Sequence, residues 1–153
     1  MRTIVVLAAL LVLLSTASPA MTDPAGAAAA DSAQARATLT VRSSPYARIL
    51  FDGRGYALYA FSKDTRGRSA CSGACARAWP PYLASGTLRA GKGIDASLLS
   101  TIRRADGTRQ VTYAGRPLYY YVGDTKRGEV SCQNVFEYGG LWLVVRASGR
   151  VVR

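Results

Sequence analysis

Two sets of residues in this chain have types and spacings that can do chemistry. The first is an aromatic–acid pattern written twice: Tyr59, Phe61 and Asp64, then Tyr119, Tyr121 and Asp124, sixty residues on. Two carboxylates at a suitable separation can serve as acid and base on a glycosidic bond, and Tyr119, Tyr120 and Tyr121 form a tyrosine cluster of the kind whose tyrosinate can hold ferric haem iron. The second set is Cys71, Cys75 and Cys132. Thiolates are soft ligands for Cu(I), and in an oxidising compartment they pair as disulfides. Histidine is absent from the whole chain. That removes Ser-His-Asp and Cys-His triads, the usual zinc hydrolase sites and His-ligated haem.

Each set also has a plainer, structural reading. A fold repeats its packing residues more readily than its reactive ones. The doubled aromatics therefore read first as the core of matching strands, and each Asp as an acceptor for loop N–H groups at a strand end. Three cysteines allow three pairings, each leaving one thiol over. Cys71–Cys75 is the local choice if the segment turns tightly enough to bring the Cα atoms within about 7 Å. A bridge from either one to Cys132 closes a longer loop and stabilises more. No catalytic residue, metal site or cofactor is assigned, and the chain is expected not to be an enzyme.

The elements that must position these residues are β-rich. Residues 37–42 alternate apolar and polar like a half-exposed strand. Residues 46–51 and 56–61 read as a hairpin about the turn Asp52-Gly53-Arg54-Gly55. Short helical turns are expected over 72–79, stopped by Pro80-Pro81, and Asp95 is placed to cap a brief turn. Strands at 100–104 and 109–113 flank Asp106-Gly107, a strong hairpin signal. Residues 116–122 and 141–146 are further strands. Both YALYAF and LYYYV are apolar on the two faces, which suits a strand in the middle of a sheet. The expected fold is mainly β: two related hairpin-based repeat units with short helical connections, in a single compact domain over 37–153. The repeats are placed at about 46–83 and 109–146.

Ahead of that domain, residues 1–20 read as a signal peptide, with Arg2, an unbroken apolar run and a Ser18-Pro19-Ala20 cleavage site. The apolar run is shorter than the roughly twenty residues of a comfortable membrane span. Residues 21–36 are Ala-rich with no periodic apolar face and are expected to be a disordered linker. The mature chain is then secreted or periplasmic, without a transmembrane helix. Twenty basic residues against nine acidic ones give a net charge of +11. Such a balance favours anionic envelope polymers or lipid head groups as partners, and export argues against nucleic acid.

LYAFSKDT and LYYYVGDT both fit Y-x-[FWY]-x-x-D. Between them Cys71-Ser72-Gly73-Ala74-Cys75 runs into Ala78-Trp79-Pro80-Pro81, and Gly139-Gly140-Leu141-Trp142 precedes the last strand. Together these resemble the bacterial secreted-repeat and lipoprotein family defined by that motif, over almost all of the mature domain. The resemblance implies an exported envelope protein of uncharacterised biochemical function and carries no catalytic residues across. Two departures stand out: no cysteine follows the apolar run to be acylated, and Cys132 lies outside the family's CxGxC. The expected function is a non-catalytic binding or structural module with a basic surface. The alternative is a redox or metal-handling protein using the CxxxC cysteines.

Overall fold

The structure, a computed structural model, describes residues 38–153. The expected signal peptide and the expected linker lie outside the described residues.

Strands β1 (Leu39–Ser43) and β2 (Arg48–Asp52) form an antiparallel hairpin. Ser44 closes it, its hydroxyl donating to the Ala47 carbonyl at 2.7 Å. Ser44 and Pro45 therefore lie in a hairpin turn. After β2 the Asp52 carboxylate gathers the N–H groups of Gly55 and Tyr56, at 2.7 and 2.9 Å. The chain then returns, bridging β2 at Phe51–Ala57, and continues into strand β3 (Tyr59–Phe61). Its ladder partner is β8 (Gly140–Val144), with Tyr59 opposite Val144 and Phe61 opposite Trp142. The hairpin expected over 46–51 and 56–61 is thus real at its turn, but its second strand pairs with the far end of the chain.

Helix α1 (Ala74–Ala78) stops at Trp79, before the two prolines, which can neither donate to it nor continue it. A 3-10 turn (Ala96–Leu98) is capped by Asp95, whose Oδ1 accepts from Ser97 N–H at 2.9 Å. It leads into β4 (Leu99–Arg103), which pairs with β5 (Arg109–Tyr113) across the Asp106-Gly107 turn. Ala114 and Gly115 both have positive φ, 50° and 75°, and turn the chain into β6 (Arg116–Pro117). The strand expected over 116–122 is this short piece plus single bridges at Tyr119. Strand β7 (Val135–Glu137), which the sequence reading did not anticipate, is the edge strand beside β8.

The two repeats are interleaved. β1 and β4 begin sixty residues apart, and Tyr59 and Tyr119 face each other, each N–H donating to the other's carbonyl at 2.9 Å. On one side of that pair Tyr59 lies opposite Val144 and Ile49 opposite Arg146. On the other, Tyr119 lies opposite Pro81 and Gln110 opposite Leu83. The closing segment of each repeat thus pairs with the tyrosine strand of its partner repeat. Neither repeat completes its own sheet.

Alternation along the central strands feeds two cores. Ile49, Phe51, Tyr59 and Phe61 pack into one, with Trp79, Trp142 and all three cysteines. Leu50, Leu58 and Ala60 pack into the other, with Leu39, Val111, Tyr113 and Leu118. This is why YALYAF carries apolar residues at every position: both of its faces are covered.

Candidate functional site

The four polar motif residues are brought together in crossed pairs. Tyr59 donates to Oδ2 of Asp124 at 2.7 Å, and Tyr119 to Oδ2 of Asp64 at 2.8 Å. Each tyrosine bonds the aspartate of the other repeat. The second carboxylate oxygen binds its own loop, Ala70 N–H to Asp64 at 2.7 Å and Ser131 N–H to Asp124 at 2.9 Å. Both tyrosines are fully buried, and Asp124 is 7% exposed. Burial holds both phenols above their ordinary range, and the carboxylate partners push the same way. Burial also pushes the Asp64 carboxyl up to about 6, against lowering by Ala70 N–H, the Tyr119 hydroxyl and the Arg104 charge.

The motif aromatics form a stack whose order is the same read from either end. Phe61 stacks on Trp142 at 4.2 Å and Trp142 on Trp79 at 4.0 Å, and Tyr121 lies against Trp79 at 4.6 Å between centroids, tilted by 36°. Tyr59 stands edge-on to Trp79, and Tyr119 edge-on to Trp142. Edge and offset contacts of this kind add to what burial of the rings already contributes. Trp79 Nε1 donates to Glu137 Oε2 at 2.9 Å, whereas Trp142 Nε1 is buried without a partner.

Cys71 and Cys75 are disulfide-bonded, with Cα atoms 5.3 Å apart. The bridge joins the start of α1 to the loop before it. Cys132 is a free, buried thiol, pushed up by its burial against a smaller opposing effect of the Tyr121 hydroxyl. The third member of the tyrosine cluster, Tyr120, donates to Asp52 Oδ2 at 3.0 Å. No group of three metal-ligating side chains occurs among the described residues, and none of their helices is long and apolar enough to cross a membrane.

Chemically, this arrangement ties polar atoms to one another. The hydroxyls of Tyr59 and Tyr119 each already have a carboxylate. Asp64 borders one surface depression, with Arg66 and Gly115, and Asp124 borders another, with Arg54 and Tyr56. One residue absent from the motif joins the network. Arg104 donates to Ser69 Oγ at 2.9 Å, to Gln110 Oε1 at 2.6 Å and to the Cys71 carbonyl at 2.8 Å. Ser69 Oγ in turn lies 2.7 Å from the Tyr119 hydroxyl. In the sequence Arg104 is one of many scattered bases, and its spacing gives no signal.

A mainly β protein whose two repeats exchange strands and cross-bond their signature residues is an internally duplicated scaffold. A model of the Lipoprotein_15 family, described as a secreted repeat of unknown function, matches residues 43–82 and 100–146, and the chain belongs to that family. No curated protein and no solved structure matches it.

Proposed function

We propose that this chain is a non-catalytic module of the cell envelope that holds anionic polymers or lipid head groups on a basic surface, outside the cytoplasm. One observation carries the reading: the acids are turned inward and the bases outward. Residues 38–153 contain eighteen bases and seven acids; sixteen of the bases are exposed, but only two of the acids, Asp95 and Asp106. Asp52 and Asp124 are buried in hydrogen bonds. The field felt outside is therefore more positive than a uniform spread of the same charges would give.

The crossed tyrosine–aspartate pairs support the absence of catalysis, since both carboxylates already accept bonds from the scaffold. The redox or metal-handling alternative is the weaker reading. Its two CxxxC sulfurs are bonded to each other, in residues 1% and 7% exposed.

Sedimentation with phosphatidylglycerol vesicles and with isolated wall polymer, across a salt series, tests the proposal. Binding at low salt that fades as the Debye length shrinks from about 30 Å to about 8 Å is the expected result. No binding at low salt, or binding indifferent to salt, would sink it.

A further inference from the structure

A cleft of about 1020 Å³ lies between the loop that follows β3 and the turn that joins β4 to β5. Four cations line it, Lys63, Arg68, Arg103 and Arg104, against the single acid Asp106. Three of the four are exposed, and Arg104 is not: its side chain is 6% accessible. A buried guanidinium is costly unless an anion compensates it. Here its direct hydrogen-bond acceptors, Ser69, Gln110 and the Cys71 carbonyl, are all neutral. Its Nε is buried with no hydrogen bond at all. Asp106 Oδ2 makes an ion pair with that Nε at 3.6 Å, too long for a hydrogen bond, and Asp64 feels the same charge without bonding to it.

Asp106 is held by its own turn instead, where Oδ1 accepts from the N–H and hydroxyl of Thr108 at 2.9 and 2.6 Å. The other repeat has no arginine at the matching place. Counting sixty residues back from Arg104, as from β4 to β1, gives Ser44, which merely closes its hairpin. The buried cation is a feature of one side of the molecule.

We propose that this cleft binds a phosphate ester, whose oxyanion takes the place beside the Arg104 guanidinium that Asp106 fills only at a distance, with Arg68, Arg103 and Lys63 at the rim. Guanidinium groups match phosphate oxygens in pairs of hydrogen bonds. The cleft is several times the size of one phosphate, which leaves room for the alcohol to which the ester is attached. The inference rests on the anionic-ligand reading above and names its seat.

The probes are sn-glycerol 3-phosphate, followed by NMR of backbone amides and arginine Nε–H groups, and phosphatidylglycerol vesicles, followed by sedimentation. Saturable shifts confined to 68–73 and 103–106, with the Arg104 Nε–H among the largest, are expected. Arg68→Ala with Arg103→Ala, both exposed, should weaken binding about tenfold, while the charge-matched Lys126→Ala with Arg127→Ala in the counterpart loop should change it less than about twofold. Asp106→Asn, which can still cap its turn, should tighten binding several-fold. Equal losses in the two double variants, or unsaturable shifts spread over the surface, would overturn the cleft and leave a general basic surface standing. Wild-type protein that ignores anionic vesicles at low salt yet saturates with the soluble ester would keep the cleft and discard lipid as the source of the ester.

Discussion

The two halves of this molecule agree in the interior and part company in the loops that follow the motif. Inside, the motif contacts come in matched pairs: Tyr59 with Asp124 and Tyr119 with Asp64, Phe61 against Trp142 and Tyr121 against Trp79. Outside, the first repeat continues into a disulfide and α1, the second into a lone thiol and β7. Phe136, four residues after Cys132 as Cys75 is four after Cys71, is 69% exposed. Glu137 satisfies Trp79, but 72–78 of the first repeat contains no acid to do the same for Trp142. The interior is held to symmetry because each repeat completes the other. The loops are free of that condition, so anything particular to this protein is to be sought where the symmetry fails.

The largest expected effect tests whether the stack is one shared unit. Trp79→Ala and Trp142→Ala should each cost about 3–5 kcal/mol in urea unfolding. A cost below about 1 kcal/mol for either would mean that the halves do not lean on each other at all. Next come the crossed hydroxyls. Tyr59→Phe strips a donor from the buried Asp124 and should cost about 2–3 kcal/mol; Tyr119→Phe acts on the more exposed Asp64 and should cost about 1 kcal/mol. Reversed ranks would show that burial does not set the difference. Opening the Cys71–Cys75 bridge by Cys→Ser at both positions should cost about 2 kcal/mol, the loop being short. Native protein should then still show one thiol, Cys132, that reacts with a thiol reagent only on unfolding; rapid labelling would contradict its burial.

What the sequence disclosed followed the same division. The β class, the Asp106-Gly107 hairpin, the capped turn at Asp95 and the stop at Pro80-Pro81 rest on local chemistry, and local chemistry is written in adjacent residues. The doubled motif marked Tyr59, Phe61, Tyr119 and Tyr121 as aromatics of matching strands; Tyr59 and Phe61 lie in β3, Tyr119 makes only single bridges, and Tyr121 lies outside any strand. Spacing along the chain could not say that the pairs would cross, because exchange between repeats is a choice of partner and leaves each repeat's own pattern unchanged. The pairing of β3 with β8, eighty residues away in sequence, was hidden by the nearer β2, which offered an equally apolar edge. β7 escaped notice because its turn, Tyr138-Gly139, puts a tyrosine at φ 54° where Asn or Asp is the usual mark. Arg104 escaped because burial, not identity, is what sets it apart from the other bases.

The smallest effect sharpens the comparison most finely, since it reads one carboxylate through proton uptake. Asp64 in the folded protein is pushed up to about 6 from an ordinary 3.8, chiefly by burial. A group with a raised folded value holds more protons folded than unfolded throughout the window between the two. Stability from this source is therefore present at the acid end, below the unfolded value, and declines as pH rises toward the folded one. Asp95 and Asp106 are lowered by their own turn hydrogen bonds and contribute the opposite slope. The useful quantity is thus the difference between wild type and Asp64→Asn, in which those contributions cancel. From pH 4 to pH 6 wild type should lose stability relative to Asp64→Asn, and above pH 6 the difference should level off. A difference that stays flat across that range would mean that Tyr119, Ala70 and Arg104 together offset the burial of this carboxylate.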